Sequence, residues 1–138
     1  MFFQTTYPVR TAGRGTQAIT EQVVAVLRES GIHSGLVNLF VQHTSCSLIV
    51  TENADLDVRR DLETLLSRLV PDGDPAWRHD QEGPDDMAAH GRSVLTHTSL
   101  TIPFRNGRLQ LGTWQGLYLW EHRTEPHTRQ IVITLLGQ

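Results

Sequence analysis

Residues 100–120 read LTIPFRNGRLQLGTWQGLYLW. Leu100, Ile102 and Phe104 recur with period two, Asn106-Gly107 follows, and Leu109 and Leu111 take up the alternation again. Two such runs joined by Asn-Gly predict a β-hairpin, because a tight two-residue turn needs positive φ at both central residues. Leu117–Trp120 and Ile131–Leu135 extend the pattern, and strands joined this closely are largely antiparallel.

Working outward from that hairpin, residues 2–9 are rich in Phe, Thr, Tyr and Val and read as an opening strand closed by a turn at Gly13 and Gly15. A short strand is expected over Thr16–Ile19. Thr20 is then placed to cap a helix of about ten residues, with Val23, Val24, Val26 and Leu27 at helical spacing and Gly31 as its stop. Residues 35–42 and 48–51 are extended around the polar kink HTSCS at 43–47, as a strand pair or one bent strand. Asp55 or Asp57 caps a second helix with a stripe of Leu56, Leu62, Leu65, Leu66 and Leu69, ended by Pro71. Residues 71–85 form a connection too long to be a simple turn, a hallmark of functional loops. Asp85 or Asp86 caps a third helix through His90 and Val94. This order predicts one α+β domain over residues 1–138, a sandwich of a mixed, mostly antiparallel sheet with helices packed on one face.

Composition removes several classes of function. The 138 residues carry a net charge of -3, so no global basic field invites nucleic acid or anionic membrane, and the three tryptophans are too scattered for a base-stacking platform. All 12 basic residues are arginine, which excludes Schiff-base lysine chemistry and a P-loop. Any bound anion must be met by arginine, histidine, backbone amides or metal. The single cysteine, Cys46, permits no intramolecular disulfide and suits a reducing compartment. No basic leader and no stretch of membrane-spanning length is visible, so a cytoplasmic protein is expected.

Seven histidines are the richest source of chemistry. His43 stands where a strand meets the polar kink, His79 in the long loop and His90 on the third helix, so that three imidazoles could converge on one ion and leave a position open. Taken singly, each can equally be a surface or satisfied core residue. His33, His97 and His127 are assigned to turns and helix ends. Glu52 and Asn53 lie between strand and helix, where Glu52 could act as a general base or the segment could simply cap the helix. In LGTWQG, residues 111–116, paired glycines admit close approach of a ligand, or a hairpin connection around a buried tryptophan.

Taken together, QHTSCSLIVTEN (42–53), RHDQEGPDDMAAH (78–90) and GRLQLGTWQGLYLWEHR (107–123) resemble the signature segments of the YjbQ-like family, and the likeness runs to the terminal ITLLGQ. The resemblance implies an α+β homotrimer, a histidine cluster for a divalent metal, zinc or magnesium, and secondary thiamine-phosphate synthase activity, which joins an aminopyrimidine pyrophosphate to a thiazole phosphate. It implies metal ligands His43, His79 and His90, catalytic Glu52 and Glu121, and substrate contacts from Ser45, Asn53, Thr113, Trp114, Gln115 and Arg123. Cys46 stands where relatives often have alanine, which argues against a nucleophilic thiol, and His97 where a glycine is expected. Synthesis needs positioning plus cations for the leaving diphosphate, for which Arg78, Arg92 or Arg123 are the candidates. Three imidazoles favour zinc, whereas diphosphate chemistry commonly uses magnesium. The alternatives are a hydrolase, with water activated at zinc by Glu52 or Glu121, and a non-catalytic trimer that binds a small metabolite.

Overall fold

Asn106 (φ 53°) and Gly107 (φ 74°) both lie in the left-handed region and turn β5 (Ser99–Arg105) into β6 (Arg108–Leu109), with Phe104 opposite Leu109. This computed structural model describes residues 1–138. Before the hairpin come β1 (Phe2–Arg10), β2 (Gly15–Ala18), α1 (Thr20–Ser30), β3 (Gly35–Val41), β4 (Cys46–Glu52), α2 (Leu56–Leu69) and α3 (Asp86–Leu95); after it come β7 (Gln115–Glu121) and β8 (Thr128–Gly137).

The α+β class is as expected, and the strands divide into two sheets, ordered β1-β8-β3-β5-β6 and β2-β7-β4. Every ladder is antiparallel, so the pairing is not mixed. Residues 35–52 are a strand pair, but β3 and β4 belong to different sheets, and the polar kink at 43–45 is where the chain crosses between them.

The main core lies between the sheets. Inward residues of the larger sheet (Val37, Leu39, Ile131, Ile133, Leu135) meet Leu48, Leu117 and Leu119 of the smaller one, with Val23, Val26 and Leu27 of α1 in the same cluster. The second face of the smaller sheet is covered too, because Ile49, Tyr118 and Trp120 pack on Leu66 and Leu62 of α2. The helices are therefore shared between the inter-sheet layer and the far side of the smaller sheet, rather than gathered on one face. Double coverage explains why LIV in β4 and LYLW in β7 are continuous apolar runs while burial alternates along β8 from Arg129 to Leu135. Each fully buried large aliphatic side chain here contributes on the order of 1.5–3 kcal/mol.

Gly31 ends α1 in the left-handed conformation (φ 69°), and Asp55 caps α2 by accepting from the Asp57 N–H. Thr20 begins α1 without capping it; its Oγ1 instead accepts the Leu117 N–H at 2.9 Å, tying helix to sheet. The long loop before α3 is pinned at its start by a two-pronged Arg14–Asp72 pair (2.8 and 2.9 Å) and closed by the Gly73 N–H donating to the Pro84 carbonyl. No helix is long and apolar enough to cross a membrane.

Candidate metal centre

Asp86 and His90 stand one helical turn apart at the start of α3, so their side chains share a face, and the long loop brings His79 over it. His79 Nε2 lies 2.6 Å and His90 Nε2 3.1 Å from the same oxygen, Asp86 Oδ2, and the ring centroids are 5.3 Å apart. The three donor atoms lie within 4.8 Å of one another. Asp86 is buried, whereas the two histidine side chains stay 44% and 31% exposed, so the cluster opens to solvent on the imidazole side.

The neighbours set the chemical state of these donors. His90 Nδ1 is 3.0 Å from the Thr44 carbonyl, which can only accept; Nδ1 therefore carries the proton, and in the neutral ring Nε2 presents a lone pair to the Asp86 carboxylate. A cation bound between that lone pair and the carboxylate would join them, as a proton on Nε2 would. Burial works against charge on Asp86, but the contacts with His79 and Arg123 outweigh it and hold the carboxyl below the usual aspartate range. Arg123 reaches Asp86 Oδ1 at 2.8 Å and Asp85 Oδ2 at 3.0 Å, leaving Oδ2 of Asp86 to the histidines. Asp85 does not cap α3: its Oδ2 accepts from the Thr124 N–H, and against the cost of burial these partners bring its pKa down to about 2.

His43 is outside this cluster. Its Nε2 accepts the backbone N–H of Gln130 at 2.8 Å, because the ring is turned toward β8. Asp86 takes the third place that the sequence reading gave to His43. The imidazoles of His43 and His90 nevertheless line one cavity of about 400 Å³ with Thr44, Ser93, Thr96 and Thr98. Linked to His43 through Arg129, Glu121 is fully buried and each of its oxygens is taken: Thr11 and Arg129 Nε donate to Oε1, and Arg129 Nη2 and the Arg123 N–H donate to Oε2. Burial alone would raise the Glu121 pKa; Arg129 and Thr11 offset it and hold the carboxyl below the usual glutamate range. With both oxygens occupied, Glu121 serves as the buried counter-charge of Arg129. Ser45 belongs to the same buried network, accepting from Arg129 through both its carbonyl and its hydroxyl. Cys46 is sealed in the core, where burial pushes its thiol up to about 12, in keeping with no nucleophilic role. His122, also sealed, bonds Ser47 Oγ at 2.8 Å, and burial together with Arg92, Arg14 and Arg129 brings its pKa down to about 3.

The remaining candidates sit elsewhere. Glu52 pairs with Gln115 at one end of the β4–β7 ladder and Cys46 pairs with Glu121 at the other, six residue steps or roughly 20 Å away. Glu52 Oε2 accepts the N–H groups of Ala54 and Asp55, which is the capping role. Asn53 donates to the carbonyls of Thr113 and Gln115, and Gln115 Oε1 accepts the Gly112 N–H. Trp114 is exposed rather than buried. The structure therefore brings His79, His90 and Arg123 together at one end, with Ser45, His43 and Glu121 beside them, and leaves Glu52, Asn53, Thr113, Trp114 and Gln115 at the other.

Three contributors escaped the sequence reading. The Asp86–His90 spacing was a usable signal, since a carboxylate and an imidazole four apart on a helix share a face. Arg129 occupies an inward position of β8, in phase with Ile131 and Ile133, and a charge at such a position demands a buried partner. His122 carried no signal in its local sequence.

Fold and cluster together define a two-sheet α+β protein with a partly open His–Asp–His donor set. The family model described as UPF0047 protein YjbQ-like matches residues 5–138, and the chain belongs to that family. It is 48% identical over 130 residues to UPF0047 protein sll1880 of Synechocystis sp. (94% of this chain, 88% of the relative) and 41% identical to the YjbQ protein of Escherichia coli O157:H7 over the full length of both. Among solved structures, a conserved hypothetical protein of Thermus thermophilus superposes with TM-score 0.87 at 40% identity (96% and 99% of the two chains). A hypothetical protein of Aeropyrum pernix does so with TM-score 0.90 at 28% identity (99% of each).

Proposed function

We propose that this chain is a metal-dependent enzyme of small phosphorylated metabolites, with a divalent ion held by His79, Asp86 and His90 at the rim of the cavity lined by His43, Ser93 and Thr98. One observation carries the reading: a buried carboxylate oxygen meets two imidazole nitrogens, one of them with its tautomer fixed from behind by a backbone carbonyl. The two-histidine, one-carboxylate set suits zinc better than magnesium, which prefers oxygen donors. When bound, such an ion supplies Lewis-acid polarisation of a substrate or water oxygen. The chain's own groups do the positioning: Thr44 orients His90, and Arg123 orients Asp86.

The family resemblance favours a reaction of the thiamine-phosphate synthase type. In it, a bond forms between the thiazole nitrogen and the aminopyrimidine methylene carbon, while the carbon–oxygen bond breaks and diphosphate leaves with the electron pair. Hydrolysis of a small ester at the same site is the second reading, and a specific observation favours it. Of the three arginines the sequence offers for the diphosphate, Arg92 is taken by Glu63 and Ser67 and Arg123 by Asp85 and Asp86, which leaves exposed Arg78 of those three. In that reading the exposed carboxylate of Glu82, 3.3 Å from His79 Nε2, is the general base in place of Glu52 or Glu121.

Metal analysis of protein purified without a nickel column tests the centre. One equivalent of zinc is expected in the wild type and in His43→Ala, with loss in Asp86→Asn and His90→Ala; undiminished metal in the latter two rejects the site. Thiamine phosphate formation from its two precursors, set against phosphate release from a panel of esters, separates the two reactions.

The homotrimer that the resemblance implies is proposed to use the outer face of the larger sheet. Phe2, Leu136 and Leu36 form one exposed row across three strands, beside Phe40. Light scattering should report three chains in the wild type and fewer in Leu36→Asp.

A further inference from the structure

His43 and Arg129 make a contact that no proton arrangement satisfies. The backbone N–H of Gln130 donates to His43 Nε2 at 2.8 Å, so that nitrogen bears a lone pair and the neutral ring carries its proton on Nδ1. Arg129 Nη1, which can only donate, lies 3.4 Å from that same Nδ1. Turning the ring over would place a carbon against the Gln130 amide and lose the better bond. The rest of the guanidinium is committed, Nε to Glu121 and Nη2 to Glu121 and Ser45. Nη1 therefore holds its hydrogens without an acceptor on a side chain that is 5% exposed. Ser45 Oγ, already accepting from Arg129, has its own proton unassigned within the same group. Burial first, and then the Arg129 charge, lowers the His43 pKa and keeps the ring neutral, in agreement with the geometry.

Buried donors left facing one another call for an acceptor from outside. We propose that His43 Nδ1–H and Arg129 Nη1–H together form a subsite for a compact oxyanion, a phosphate or carboxylate group of the substrate, next to the cavity that His43 shares with His90. Its place in catalysis rests on the reading above, with one end of the substrate on this pair and the reacting end at the His79–Asp86–His90 cluster. The binding itself requires no metal. The pair also answers a need set by composition, since a chain without lysine must meet anions with arginine and histidine.

The test is titration of the full-length, EDTA-treated protein with inorganic phosphate, and separately with acetate, followed by calorimetry and by the side-chain nitrogen resonances of His43 and Arg129. Saturable binding is expected to move both resonances. It should weaken about tenfold or more in His43→Phe, the loss expected for one hydrogen bond to a charged group, recover in His43→Asn, whose amide restores a donor near Nδ1, and persist in His90→Ala. Phosphate binding with acetate indifferent identifies a phosphoryl group, and the converse a carboxylate. Absence of saturable binding, equal affinity in His43→Phe, or loss in His90→Ala with His43→Phe unaffected overturns the subsite. Arg129→Lys, read only if its thermal unfolding stays cooperative, should bind several-fold more weakly than the wild type. Because all arms are run without metal, failure here leaves the ion site standing, and failure of the metal analysis leaves this subsite standing.

Discussion

The two ends of the β4–β7 ladder are built from neighbouring residues of the same strands and follow opposite physics. At the Glu52–Gln115 end, side chains bond to exposed backbone: Glu52 to the amides of Ala54 and Asp55 ahead of α2, Asn53 to the carbonyls of Thr113 and Gln115, Gln115 to the Gly112 amide. These bonds are exposed, so water can replace each of them. At the Cys46–Glu121 end, Glu121, Arg129, Asp86 and His122 are buried, and the buried bonds Thr11–Glu121, Ser45–Arg129 and Ser47–His122 join remote parts of the chain where water does not replace them. A recognisable motif thus marks a stable turn at one end, while groups that can do chemistry are held in place at the other by desolvated charge.

The sharpest way to break this contrast is to neutralise the buried Glu121. Glu121→Gln leaves Arg129 buried without a counter-charge and is expected to cost about 3–5 kcal/mol in urea unfolding, while Glu52→Gln at the far end should cost less than about 1 kcal/mol. Equal costs would erase the distinction.

Acid should then find the buried end first. His122 takes a proton in the unfolded chain near pH 6.5 but in the folded one only at about 3. Its contribution to stability is present above pH 6.5 and is lost as pH falls toward 3, at up to about 1.4 kcal/mol per pH unit. Glu121, with its folded pKa depressed, acts with the same sign lower down, its share being present above its unfolded value near 4.3. His122→Asn should flatten the profile between pH 6.5 and 5, and a wild-type profile already flat in that range would contradict the buried state of this ring.

Smaller effects sharpen the comparison further. Asp86→Asn should lower zinc affinity by about a hundredfold in competition with a chromophoric chelator, and Trp114→Ala should leave it unchanged. Asn53→Ala, which loses two hydrogen bonds to carbonyls, is expected to cost about 1–2 kcal/mol. Trp114→Ala, at an exposed position, should shift unfolding by no more than about 0.5 kcal/mol.

Much of the fold was legible because it rests on local patterns. The Asn106-Gly107 hairpin, the Gly31 stop and the Asp55 cap all follow from what a few neighbouring residues can do with their backbone. Thr20 was misread as a cap because the backbone amide its hydroxyl binds, that of Leu117, is 97 residues away. The site was legible in part: His79 and His90 do meet, and Arg123 stands beside them. His43 was misplaced because the direction of a strand-end ring depends on which amide it faces across the sheet. Asp86 read as a helix cap, since a carboxylate at a helix start has that local use wherever it occurs.

By itself the sequence determined the class of fold, the element order, the exclusion of lysine chemistry and the family to which the chain belongs, for these follow from periodicity, turn chemistry, composition and the spacing of motifs. Only the tertiary structure decided that the strands form two sheets, that Asp86 rather than His43 joins the two histidines, and that Arg129 and Glu121 form a buried ion pair beside His43. The reason is that a side chain's direction, its burial and its charge state are set by groups brought near it through the fold, and most of those groups are remote along the chain.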